Sequence, residues 1–212
     1  MLARLIAGIA VLALVSPSVP GAQSVDGGDR ASYVLKFQSI GVAEPIHLDG
    51  YTFTLVEDAD AEFETRLHAF IQAPGDPQPR QFYSYGRAMG FAFVPACHLI
   101  VVEDGYTTKL ARSVAIRLPD LKQTNLDEDA VAQYRGTYEV SPTMFVNGFA
   151  EAVWRDCKQV LVRVELTFGN ARTPEEAAAE GKRYPKRQYE VSPATGKVVG
   201  ALTAEGTKTS RH

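Results

Sequence analysis

The spacing of apolar and polar residues from about residue 32 onward predicts a series of β-strands. Tyr51, Phe53 and Leu55 alternate with threonines, which is the period of a strand with one buried face. Apolar residues occupy both parities over most of 160–166, as expected for a central strand. Residues 62–71 fit one face of a helix and one face of a strand equally well. Their position after a strand and an acidic turn favours a second strand.

Two dipeptides of the type that closes two-residue hairpins interrupt the apolar runs. Asp104-Gly105 follows the run that begins at residue 98, and Asn147-Gly148 separates two further apolar segments. Both therefore predict a tight turn between antiparallel neighbours. The second is the strongest local hairpin signal in the chain.

Helix signals are few. One short helix is predicted over 127–135, and a second begins after Thr173 and ends near Gly181. In the second, Pro174 suits the first helical position and Glu176 completes a capping box. About ten strand candidates against these two helices predict a mainly β (α+β) fold, either an antiparallel sandwich or a strongly curved sheet.

The N-terminus has the order of a secretory signal peptide. Arg4 precedes eleven apolar residues at 5–15, and small or turn-forming residues follow at 16–24. The apolar run is about half of what a bilayer span needs, so we expect cleavage rather than a transmembrane anchor. A retained anchor or a buried helix is the alternative. The predicted organisation is a signal peptide at 1–22, a flexible lead-in at 23–31, a single β-rich domain at 32–205 and a mobile tail at 206–212. We therefore expect a periplasmic or secreted protein.

Composition narrows the function classes. Hydrophobic residues make up 45% and charged residues 22% of the 212, which are ordinary globular values that exclude a disordered chain or a polytopic membrane protein. The net charge of −3 gives no general attraction to nucleic acid, so none is expected as a partner.

The chain has only two cysteines, Cys97 and Cys157. Export permits their oxidation, and two cysteines allow a single intramolecular pairing, so we expect a disulfide between them. A cross-link over about sixty residues contributes roughly 4 kcal/mol in the chain-entropy picture. Two separate buried thiols are the alternative.

Catalytic motifs are missing from the sequence. It contains no nucleophile elbow, no zinc-protease helix, no phosphate-binding loop and no dinucleotide fingerprint. No two histidines stand at metal-ligand spacing. We therefore expect no cofactor and no metal, and an enzyme is not favoured.

One alternative keeps an envelope hydrolase open. His47 and Asp49 share a strand face, so they resemble a base and its orienting carboxylate, and Asp58 and Glu62 in the following acidic cluster would supply further carboxylates. The favoured interpretation is plainer: a turn at His47 and Asp49 and a solvated acidic turn at 57–64.

The leading hypothesis is a soluble, exported envelope protein that acts by binding a protein or a ligand, as an inhibitor, immunity factor or assembly accessory. Another envelope protein is its expected partner. Tyr83, Tyr85 and Phe91 share one parity of an aromatic segment and are the predicted binding residues, because aromatic side chains are frequent interface anchors. A core role for the same face, or a structural subunit of an envelope assembly, is the alternative.

Overall fold

The computed structural model describes most of the chain from residue 32 onward. The described residues are 32–34, 38–40, 44–58, 66–86, 89–105 and 110–202. The predicted signal peptide, lead-in and C-terminal tail lie outside them. Within the described part, no helix is long and apolar enough to cross a membrane.

Strands make up most of the described residues. They are β1 (Ser32–Val34), β2 (Gln38–Ile40), β3 (Ile46–Leu48), β4 (Tyr51–Asp58), β5 (Arg66–Gln72), β6 (Arg80–Tyr85), β7 (Met89–Val94), β8 (Leu99–Asp104), β9 (Arg112–Arg117), β10 (Lys122–Asn125), β11 (Phe145–Trp154), β12 (Val160–Phe168), β13 (Arg187–Val191) and β14 (Val198–Leu202). Two α-helices, α1 (Glu128–Tyr138) and α2 (Pro174–Arg183), and a 3₁₀ turn at Pro95–Cys97 complete the elements.

These strands form three antiparallel sheets. The front sheet has the order β1-β11-β12-β13-β14, the middle sheet β10-β9-β8-β7-β2, and the back sheet β3-β4-β5-β6. The predicted mainly β, α+β class is therefore confirmed. The middle sheet packs between the other two, since its residues contribute to two separate hydrophobic cores.

Strand β8 shows how the middle sheet serves both cores. Leu99 and Val101 pack toward the front sheet and Tyr134 of α1, whereas Ile100 and Val102 pack toward the back sheet. All four strand residues are buried. A strand covered on both faces needs apolar side chains at both parities, which is why this segment is a continuous apolar run rather than an alternating one.

Ser113 of β9 joins the middle sheet to the front sheet. Its fully buried hydroxyl donates to the carbonyl of Gly148 at 3.0 Å and accepts from the backbone N–H of Ala150 at 3.1 Å, both on β11. Its own backbone N–H donates to the Asp127 carboxylate at 3.2 Å, immediately before α1. One residue therefore links two sheets and the start of a helix; we call this the Ser113 joint.

The predicted hairpin at Asn147-Gly148 is wrong, because both residues lie inside β11. Asn147 is buried and donates to the Thr167 hydroxyl at 2.9 Å. A Cβ at position 148 would lie 2.6 Å from the Cβ of Asp127. The glycine thus permits the close approach of α1's first residues to the strand, which is a second common reason for glycine in a strand interior.

The Asp104-Gly105 turn is also longer than predicted. Asp104 pairs with Arg112 in the β8–β9 ladder, so residues 105–111 connect the two strands. Antiparallel pairing of the flanking runs is confirmed, whereas a two-residue connection is not. At 62–71 the strand alternative is confirmed for the described part, because β5 pairs with both β4 and β6.

Both predicted helices form. Helix α1 continues past the predicted end at residue 135 and stops at Tyr138. At α2 the Thr173 hydroxyl accepts from the backbone N–H of Glu176 at 3.2 Å, and the Glu176 carboxylate accepts from the backbone N–H of Thr173 at 3.2 Å. This reciprocal pair is the predicted capping box.

The predicted disulfide is confirmed. Cys97 and Cys157 are bonded, with their Cα atoms 5.3 Å apart. Cys97 ends the 3₁₀ turn between β7 and β8, and Cys157 lies in the turn between β11 and β12. The bond therefore provides a second, covalent link between the middle and front sheets.

Two partly buried carboxylates lie at the Ser113 joint. Glu103 pairs with Ser113 across the β8–β9 ladder, and burial raises its pKa to about 7 against the opposing charge of Arg163. Burial likewise raises the pKa of Asp127 to about 6. Folding therefore favours the protonated form of both groups.

Replacing Gly148 with alanine should destabilise the protein by about 2 kcal/mol, since the new methyl group collides with Asp127. Gly136→Ala is the matched control: it lies within α1 with nothing near its missing Cβ, so it should stabilise by about 1 kcal/mol. Urea unfolding at one pH measures both. Equal effects of the two changes would contradict the close approach at Gly148.

Glu103→Gln should reduce the loss of stability between about pH 4.5 and 7. In the wild type the folded chain keeps a proton there that the unfolded chain has released, so the free energy of unfolding falls with rising pH, by about 3 kcal/mol for this group. Unfolding curves across this range measure the difference between variant and wild type. Exposed Glu44→Gln is the control. Parallel pH profiles for wild type and Glu103→Gln would contradict burial of the Glu103 charge.

Candidate functional site

The structure puts His47 and Asp49 in the hairpin between β3 and β4. The imidazole Nδ1 of His47 lies 3.1 Å from the hydroxyl of Thr52, its cross-strand partner. Asp49 adopts a left-handed backbone conformation and is followed by Gly50 in the turn. Both side chains are exposed on the connecting loop and the edge strand.

The other residues of the hydrolase alternative do not join this pair. Asp58 ends β4, whereas Thr52, the partner of His47, lies near its start. An extended strand separates those two positions by about 20 Å. Glu62 lies outside the described residues. The described members of this set therefore do not form one site.

Tyr83, Tyr85 and Phe91 are buried, with 6%, 3% and 4% of their surfaces exposed. All three pack into the core between the middle and back sheets, where the Phe91 ring lies 4.8 Å from that of Phe53. Their burial agrees with the core role given above as the alternative. Tyr83 and Tyr85 lie on β6 of the back sheet and Phe91 on β7 of the middle sheet, so each sheet covers the aromatic side chains of the other.

Tyr83 and Tyr85 also border a cavity of about 590 Å³. It lies where β6, the edge strand of the back sheet, meets β9 and β10 at the edge of the middle sheet. Its size is within the range of about 300–1,000 Å³ that is usual for small-molecule sites. We call it the edge cavity.

A buried tyrosine–aspartate pair forms one wall of the edge cavity. The Tyr83 hydroxyl donates to Oδ2 of Asp104 at 3.0 Å. Burial raises the pKa of Asp104, although this hydrogen bond and the positive charge of Arg112 oppose the rise. Burial and the nearby Asp104 charge raise the pKa of Tyr83 as well, so the phenol remains a hydrogen-bond donor.

Two polar atoms in this wall have no hydrogen-bond partner among the described residues. They are Oδ1 of Asp104 and the hydroxyl of Tyr85, on side chains that are 4% and 3% exposed. An unpartnered buried polar group costs about 1–3 kcal/mol. A native fold that keeps two of them beside one cavity has the features of a ligand site.

Polar side chains from both sheets complete the edge cavity. Nδ1 of His68 lies 2.9 Å from the Ser84 hydroxyl, which also accepts from the amide of Gln81 at 2.7 Å. The Gln123 amide donates across to the backbone carbonyl of Phe82 at 2.9 Å. Across the described ranges, no three His, Cys, Asp or Glu side chains gather in a way that could hold a metal ion.

No sequence pattern indicated Asp104, Arg112 or Gln123 as site residues. Asp104 ends an apolar run beside a glycine and therefore resembles a turn residue. The one available signal was its position directly after a strand that is apolar at both parities.

No protein-family model, curated protein or solved structure matches the chain.

Tyr85→Phe should leave the free energy of unfolding unchanged or raise it by up to about 1 kcal/mol, because it removes a buried hydroxyl without a partner. Tyr83→Phe is the matched comparison. It leaves the buried Asp104 carboxylate without its donor, so it should lower stability by about 1–3 kcal/mol. Urea unfolding measures both. A Tyr85→Phe protein that is as unstable as Tyr83→Phe would mean that the Tyr85 hydroxyl is bonded in the folded chain.

Proposed function

We propose that the chain is an exported protein that acts by binding, and that the edge cavity holds its ligand. The observation that carries the proposal is the buried Asp104 carboxylate at the cavity wall, which has one oxygen bonded to Tyr83 and one without a hydrogen-bond partner in the described part of the chain. Groups of this kind lower stability and are commonly kept where function uses them.

Export is supported by two independent features. The N-terminal residues have the basic, apolar and small-residue order of a signal peptide. The Cys97–Cys157 bond belongs to the class of cross-links that persists in oxidising compartments. Periplasmic or secreted location is therefore part of the proposal.

In this proposal the ligand binds in the edge cavity, and Tyr83, Tyr85 and Phe91 do not form an exposed surface that anchors a partner protein. The rings of Tyr83 and Phe91 are buried, so they cannot anchor a partner protein without opening the core. The hydroxyls of Tyr83 and Tyr85 are the functional ends of the two tyrosines in this proposal. A small polar ligand is thus favoured over an envelope protein as the direct occupant.

A hydrolase has one observation in its favour. The His68–Ser84 contact of 2.9 Å, in the wall of the edge cavity, has the distance of a base and a nucleophile. Ser84 also accepts from Gln81, however, so its lone pairs are partly engaged. Hydrolysis is therefore the second candidate function.

The test uses the protein recovered from the envelope or the medium of cells that express the full chain. Its intact mass should show removal of a segment that ends between about Val19 and Val25. The low-mass fraction of an envelope extract should raise its melting temperature by several degrees, as a ligand that binds only the folded state does. Tyr85→Phe should reduce the shift, whereas Tyr51→Phe, a Tyr→Phe change on the same sheet outside the cavity wall, should not.

Three results would contradict the proposal. A full-length mass in the membrane fraction would refute export. Equal shifts in the Tyr85→Phe and Tyr51→Phe proteins would refute the edge cavity as the site. Hydrolysis of ester or glycoside substrates that disappears in Ser84→Ala or His68→Ala, with melting unchanged, would establish the hydrolase instead.

A further inference from the structure

Helix α2 has no buried residue, whereas α1 buries Ala130 and Tyr134. Among its ten residues Glu180 is half-buried and the others are exposed. Within the part of the chain that the structure describes, no hydrogen bond or ion pair joins α2 to a residue outside 170–184. The helix is therefore attached to the rest of the protein at its two ends rather than along its length.

The helical state of α2 depends on local interactions. An isolated helix of fewer than about 12 residues is marginal in water, and α2 has ten. Its capping box and the alanines at 177–179 favour the helix, but no burial of an apolar face adds to them. Elements of this kind open at a lower free energy than the core strands do.

One carboxylate holds the middle of this helix to the chain that precedes it. Oε1 of Glu180 accepts from the backbone N–H of Asn170 at 2.9 Å, just after the end of β12. The same carboxylate lies so close to Gly169 that a Cβ there would overlap with it. Glycine at 169 therefore leaves the space in which the carboxylate reaches the main chain. We call this contact the Glu180 latch.

Two cavities border the latch. One, of about 460 Å³, has Met144 in its wall, and the other, of about 430 Å³, has Leu166. Glu180 and Tyr184 line both, so the two cavities meet at the latch. Met144 is 8% exposed, and Leu166 packs with it in the core between the front and middle sheets. Moving α2 away would join the cavities and uncover these apolar side chains.

We propose that α2 is a lid over the two cavities. The Glu180 latch holds the lid shut, and the lid opens while the three sheets stay folded. Opening breaks one hydrogen bond to the main chain and removes no helix side chain from the core, so its cost is local. Residues 169–173 form the hinge at one end, and the buried Tyr184 anchors the chain at the other. The lid belongs to the connection between β12 and β13, so it does not depend on the edge cavity or its ligand.

Hydrogen exchange of the exported protein, followed by mass spectrometry of its peptides, tests the lid with two Gly→Ala changes. Gly169→Ala fills the space of the Glu180 carboxylate, so the amides of α2 should exchange about fivefold faster or more, while those of β12 stay unchanged. Gly181→Ala is the matched control within α2. Nothing lies near its missing Cβ, and alanine favours the helix, so α2 should exchange about fourfold more slowly.

Labelling of a buried thiol tests whether opening uncovers the cavities. Both natural cysteines are disulfide-bonded, so Met144→Cys supplies a single free thiol in the wall beneath α2. Iodoacetamide should modify it about fivefold faster or more when Gly169→Ala is also present, and more slowly with Gly181→Ala. Leu166→Cys, in the other cavity, is the second position if Met144→Cys lowers stability.

Three results would overturn the lid. Amides of α2 that exchange as slowly as those of β12 would mean that the helix opens only when the whole protein unfolds. Equal effects of Gly169→Ala and Gly181→Ala would show that the Glu180 contact does not hold the helix. Faster exchange without faster thiol labelling would mean that the helix frays in place and leaves the cavities covered.

Discussion

The hydroxyl of Ser113 on β9 hydrogen-bonds the middle sheet to the front sheet. Strand β11 is irregular between Ala150 and Ala152, and the main-chain groups of Gly148 and Ala150 bond to this side chain from the neighbouring sheet. The hydroxyl is fully buried, so water cannot replace it. Gly148 must lack a side chain for Asp127 and α1 to reach the same point. The joint thus fixes the distance between the front sheet, the middle sheet and the helix.

The rigidity of the middle sheet follows from this joint and from the disulfide. The Cys97–Cys157 bond links the sheets next to β8, and Ser113 links them within β9. Strands β8 and β9 are therefore held on their front side, while the back sheet packs on their other face. The edge cavity receives Asp104 and Arg112 from the ends of these same two strands. Two of its polar groups are therefore placed by strands that are cross-linked to the front sheet, an arrangement that suits the proposed binding function.

Two consecutive acids at the end of β8 show how one strand serves two purposes. Adjacent strand residues point to opposite faces, so Glu103 lies toward the Ser113 joint and Asp104 toward the edge cavity. Burial raises the pKa of both. The first carboxylate lies where the middle sheet meets the front sheet, and the second lies in the wall of the edge cavity. Both lower stability, which the large apolar cores on either side of the strand offset.

Local sequence patterns determined the elements, and the packing of the sheets decided their roles. Strand parity, the Thr173–Glu176 capping box and the single possible cysteine pairing need only nearby residues or a count, so the fold class and the cross-link followed from the sequence. The edge cavity did not, because Tyr83 and Asp104 are 21 residues apart and meet only when the back sheet lies on the middle sheet. The same packing buried the aromatic face that parity alone left open. Asn147-Gly148 has the composition of a turn, but the approach of Asp127 uses the missing side chain of Gly148 within a strand. A glycine's local preference is the same in both settings, and only the tertiary neighbour distinguishes them.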